Sequence, residues 1–166
     1  GELEAVVETL DSAKRAVNAA NRALKLKESA SVSASVAIAV QKSNEVHELV
    51  KEEMTRIDRL KREQKNARDI FVEMEHAYSS ALVRSQIGKV EDAREVAEAQ
   101  TVAVELLAKA TVLFGNGVDS PQSYDRLSTD NCTEIVRELT IAVSSFDTAV
   151  TQEIASKKEA DRLHRL

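Results

Sequence analysis

From Glu2 to Ile87 the chain carries neither glycine nor proline. That removes the usual helix stops over half of the molecule, and leaves apolar periodicity to say what the backbone does. A heptad register runs through it. Val36, Ser43, Val50, Ile57, Gln64, Phe71 and Tyr78 fall at position a, and Ala39, Val46, Glu53, Leu60, Ala67, Met74 and Ala81 at d. Glu53 alone is out of place, with Met54 beside it to cover. An earlier seam of Leu3, Val6, Leu10, Ala13, Val17, Ala20 and Leu24 keeps a different register and fails at Lys27, so a break is expected near residue 28.

Two more seams follow. Val90, Ala93, Ala97, Gln100, Val104, Leu107, Thr111 and Phe114 form the third, and Cys132, Ile135, Leu139, Ala142, Phe146 and Ala149 the fourth. The stretch TVAVELLAKATVLF (101 to 114) is apolar nearly all round, which predicts a helix enclosed by others. Composition agrees with helices throughout: the chain is rich in alanine and glutamate, with aromatics at 3% and no tryptophan. The expected fold is all-α, a single elongated antiparallel helical bundle spanning residues 1–166.

The charged stretch KEEMTRIDRLKREQKNARD (51 to 69) predicts a thin, two-helix part of that bundle, with Asn66 near its tip. At about 1.5 Å per residue, one helix from 30 to 86 would run about 85 Å, against about 37 Å for 90 to 114. A reversal near 63–67 gives better-matched partners. The expected elements are therefore helix A over about 2–64, helix B over about 67–114 with an irregularity at Gly88, and helix C over about 129–165. The loop between B and C, 115–128, holds Gly115, Gly117 and the only proline, Pro121. It exceeds the two to eight residues usual between bundle helices, and lies over the thick end of the bundle.

Few residues suggest chemistry. Glu73 and His76 spell the Glu-x-x-His of di-iron bundles, but the register puts both toward solvent and no second copy exists to complete a site. His47 reads as a seam-edge residue, and His164 sits near the end of the last helix. Cys132, the one cysteine, excludes an internal disulfide and falls on an apolar seam, where it reads as a small buried hydrophobe. The run Ser29, Ser31, Ser33 and Ser35 reads as close helix packing or a turn. GNG at 115–117 lacks the lysine and the strand of a phosphate loop. A net charge of -5 with interspersed signs disfavours nucleic acid, and no cofactor, metal or small-molecule substrate is expected. The chain reads as non-enzymatic.

Asn131-Cys132-Thr133 is an N-x-Thr sequon, so Asn131 is a candidate glycosylation site. Asn131 with Glu134 also reads as a helix cap, and capping is the preferred role. Around it, Asn116, Asp119, Gln122, Tyr124, Asp125 and Arg126 form a candidate exposed recognition loop. No apolar run is long enough to cross a bilayer, and no signal peptide precedes Gly1, so the chain is expected to be soluble, with targeting segments left open.

This layout, an alanine- and glutamate-rich, disulfide-free bundle with one polar loop between TVLF and CTEIV, resembles the trypanosome alanine-rich surface proteins, of the insect-stage glutamic acid/alanine-rich type. The resemblance spans the chain and rests on composition and layout. It implies a glycolipid-anchored (GPI-anchored) coat ectodomain at the cell surface, with the loop outward and the region after Glu153 near the membrane. Neighbouring coat proteins or a host or vector protein would be its partners. An alternative is a cytoplasmic adaptor, since LTIAVSSFDTAV (139 to 150) resembles the amphipathic helices of talin- and vinculin-type cytoskeletal bundles.

Overall fold

A computed structural model describes residues 1–26, 29–115 and 124–166, with the side chains at 23–30 excepted. Four helices make up the fold: α1 (Glu2–Leu26), α2 (Ser29–Gly88), α3 (Arg94–Phe114) and α4 (Arg126–His164). No strand occurs among the described residues, and the all-α helical bundle is as expected. The chain divides into two compact units, Gly1–Arg59 and Leu60–Leu166, where one domain was expected. The expected break near 28 falls at Lys27 and Glu28, outside the described residues.

The reversal expected near 63–67 does not occur. Helix α2 runs unbroken from Ser29 to Gly88 through an exposed Asn66. No single partner matches α2 over its whole length. Instead α1 packs on the part before Leu60, and α3 and α4 pack on the part after it. The true turn is at Gly88, where only an irregularity was expected.

That turn explains itself from its hydrogen bonds. Val90 N–H donates to the Ser85 carbonyl at 2.9 Å, and Lys89 adopts a left-handed φ of 52°, the backbone form of a helix stop normally occupied by glycine. Glycine stands one residue earlier because α4 crosses there: a Cβ on Gly88 would lie 2.8 Å from Ile154 Cγ1. Lys157 Nζ then donates to the carbonyls of Gly88 and Lys89, both at 3.1 Å, at the negative end of α2.

In the unit Leu60–Leu166 the three helices run up, down and up. Phe71 stacks on Phe114 at 5.2 Å, so α3 returns along α2. Tyr78 meets Phe146 at 5.4 Å, while Arg84 pairs with Asp147 and donates to Thr151, so α4 runs parallel to α2. The core joins Ala67, Phe71 and Ala81 of α2 to Ala103, Ala110 and Phe114 of α3, and to Cys132, Leu139 and Phe146 of α4. The α4 seam is as read: Cys132, Leu139, Ala142 and Phe146 are buried, Ile135 and Ala149 half-buried, and packing fades after Ile154.

The α3 seam is corrected by one residue at three places. Val96, Ala103 and Ala110 are fully buried, whereas Ala97, Val104 and Thr111 are exposed. Alanine takes two of these positions, 103 and 110, because α3 lies between two neighbours there, and the smallest side chains admit the closest approach. Nor is α3 enclosed: Val102, Val104 and Val112 all face outward.

In the unit Gly1–Arg59, α1 and α2 are antiparallel, with Arg56 Nε 3.3 Å from the Glu2 carboxylate. Among the described residues, Ala13, Ala16 and Ala20 are the buried ones. On α2, Ala39, Val46 and Glu53 keep their inward position, but Val36, Ser43 and Val50 are exposed, and Ser35, Lys42, Leu49 and Arg56 take their place. Met54 does not cover for Glu53. It is exposed, and Glu53 keeps its seam position by binding Arg56 in two hydrogen bonds, at 2.6 and 3.0 Å. The guanidinium's hydrogen bonds hold the Glu53 carboxyl below its usual range.

Candidate functional site

The loop-bearing end of the unit Leu60–Leu166 is built from the close of α3, the start of α4 and the α2 surface from Lys61 to Phe71. Helix α3 stops at Gly115, whose φ of 66° favours glycine and whose N–H donates to the Thr111 carbonyl at 3.0 Å. Arg68 Nη2 donates to the Phe114 carbonyl at 3.2 Å, which places a cation at the negative end of α3.

The start of α4 differs from the sequence expectation. Asp125, not Asn131, is the N-cap: its Oδ1 accepts from Ser128 N–H at 2.6 Å, and α4 begins at Arg126. The loop therefore ends at Asp125 instead of 128. Helix forms early because Thr129 is already a core residue. Its hydroxyl donates to the Asp125 carbonyl at 2.8 Å and accepts from Gln64 Nε2 at 2.9 Å, so two buried polar side chains satisfy each other across α2 and α4.

Of the expected recognition residues, Asn116, Asp119 and Gln122 lie outside the described residues. Tyr124, Asp125 and Arg126 are described, and each contacts another residue of the unit. Lys61 Nζ sits 5.0 Å from the centre of the Tyr124 ring, a cation over an aromatic face. Asp125 caps α4. Arg126 approaches Glu63 at 3.4 Å and Asp130 at 3.2 Å, both at the surface, where such pairs contribute little to stability. Leu127, which sequence reasoning passed over, is an exposed apolar side chain here, at 72%. Its signal was visible, since it stands outside the three-and-four spacing that begins at Cys132.

Asn131 lies on the second turn of α4 with its side chain exposed, free of the capping role. Between it and Thr133, Cys132 points inward and is buried, and Thr133 Oγ1 donates to the Thr129 carbonyl at 3.0 Å. Burial raises the Cys132 thiol above its usual range, with the Arg68 charge opposing more weakly, so the thiolate that would act as a nucleophile is disfavoured. Glu73 and His76 are both exposed, and no cluster of three or more potential metal-ligating side chains occurs among the described residues. The described residues at the end of this unit present a mixed surface of charged side chains with Tyr124 and Leu127 exposed among them.

No protein-family model, curated protein or solved structure matches this chain. No described helix is long and apolar enough to cross a membrane.

Proposed function

We propose that the chain is the non-enzymatic ectodomain of a cell-surface coat protein, held by a lipid anchor and presenting the α3–α4 connection for contact with host, vector or immune proteins. The observation that carries this reading is the exposed Asn131 on α4, released from capping by Asp125 and flanked by Thr133. A glycan there would project into solvent without displacing a packed group. The test is to label intact cells that produce the full gene product with an antibody against this chain. Surface signal that is lost on treatment with a phospholipase specific for glycolipid anchors is the expected result. Signal only after permeabilisation, or a precursor lacking both a secretory and an anchor signal, overturns it.

A second reading, the cytoskeletal adaptor, is favoured by one feature of α4. Leu139, Val143, Phe146 and Val150 are wholly or almost wholly buried, so the stripe that would enter a partner's groove is hidden within its own bundle. Co-sedimentation with filaments or capture of a 139–150 peptide by a cytosolic partner would support it.

A further inference from the structure

In the unit Gly1–Arg59 two helices form a single layer, and one side of that layer is open and largely apolar, interrupted by Lys14, Asn18 and Ser43. Leu3, Leu10 and Val17 of α1 and Val36 and Val50 of α2 are between 40% and 68% exposed. The α2 members occupy the same heptad position as Gln64, Phe71 and Tyr78, which are buried or half-buried where α3 and α4 cover them. One repeat therefore runs through α2, covered by α3 and α4 in one unit and by none of the described helices on this side in the other.

The charges along α1 say what covers it. Glu2, Glu4, Glu8 and Asp11 precede Lys14, Arg15 and Arg22, with no mixing. The helix dipole favours such an order only in the first and last turns, so it does not account for Asp11 and Arg15 near the middle. Asp11, Arg15 and Arg22 make no ion pair among the described residues. A helix acidic in one half and basic in the other is complementary to itself when reversed. An antiparallel copy centred on Ala13 brings Glu4 level with the partner's Arg22 and Asp11 level with the partner's Arg15, in one register along the outer edge of the face, the side of α1 that points away from α2.

We propose that this face binds a second copy of the chain, two α1–α2 layers closing about a two-fold axis near Ala13 into an antiparallel four-helix bundle. The contact is isologous, so every pairing occurs twice. Its size is adequate. A face the length of α1, about 37 Å, and two helices wide, about 20 Å, covers roughly 700 Å² per copy, near the ~800 Å² per partner of a stable interface. The proposal does not depend on the coat reading and stands or falls separately from it.

The test uses the whole chain and two double variants, Glu4→Lys with Asp11→Lys and Arg15→Glu with Arg22→Glu. All four side chains are exposed, and circular dichroism checks that helix content is kept. By sedimentation, the unaltered chain is expected to be a dimer at tens of micromolar. Each variant should dimerise about tenfold more weakly, and an equimolar mixture should regain the original affinity as a heterodimer. Lys14→Cys, one residue from the axis, should form an intermolecular disulfide under mild oxidation. A chain monomeric to about 200 µM, or a dimer that both charge variants leave unchanged, overturns the proposal.

Discussion

Lys89 is the one non-glycine residue of the described chain with a positive φ, and it is displaced into that role by Gly88, which gives up its side chain to let Ile154 approach. A left-handed residue with a Cβ carries about 1 kcal/mol of strain. Lys89→Gly should therefore stabilise the fold by about 0.5–1 kcal/mol, read as a higher urea midpoint with unchanged slope. Asp125→Ala should destabilise by about 1 kcal/mol, because Ser128 N–H loses its acceptor, whereas Asn131→Ala should leave thermal stability unchanged. That contrast separates the observed cap from the one read in the sequence. Cys132 offers a third check. With its thiol buried and its pKa raised, alkylation at pH 8 should be on the order of 100-fold slower in the native protein than in urea.

Among the elements, α4 was the most legible and α3 the least. The α4 seam of Cys132, Ile135, Leu139, Ala142, Phe146 and Ala149 is flanked by polar residues, so a single face can be buried. Phe146, fully buried against Tyr78, is its centre, and Phe146→Ala should cost about 3–5 kcal/mol in denaturant unfolding. In α3, valine, leucine and alanine occupy several faces at once, so spacing alone could not decide between Ala103 and Val104. Close approach by neighbours on both sides decided it. For α2, the dense charge around Asn66 looked like a turn. Its helix continues because Leu60, Gln64 and Ala67 supply a buried stripe beneath the charged side chains, which remain at the surface.

The two units differ in how they are held. Among the described residues, the buried positions of Gly1–Arg59 are three alanines, which remove little apolar area from water, while Leu60–Leu166 buries phenylalanine, leucine and valine. Backbone amides of 1–59 should accordingly exchange with solvent at least about tenfold faster than those of 60–150 at low micromolar concentration, read by hydrogen exchange with mass spectrometry. Similar protection throughout would mean that the units open together. At higher concentration, closure of the α1–α2 face by a second copy should slow exchange selectively in 1–59.

The all-α class and the stripes of α4 and of the later part of α2 follow from local spacing, because a helix presents residues three and four apart on one face whatever surrounds it. So does the polar break after Phe114, since Gly115 and Pro121 restrict helix continuation wherever they stand. Partner choice does not follow. Which helix covers each part of α2, which of two adjacent apolar residues turns inward on α3, and which of Asp125 and Asn131 caps α4 all depend on contacts between residues far apart in the chain. Thr129 meets Gln64, and Gly88 meets Ile154, only once the helices are side by side. Those meetings fixed the true turn at Gly88, the early start of α4 and the solvent exposure of Asn131.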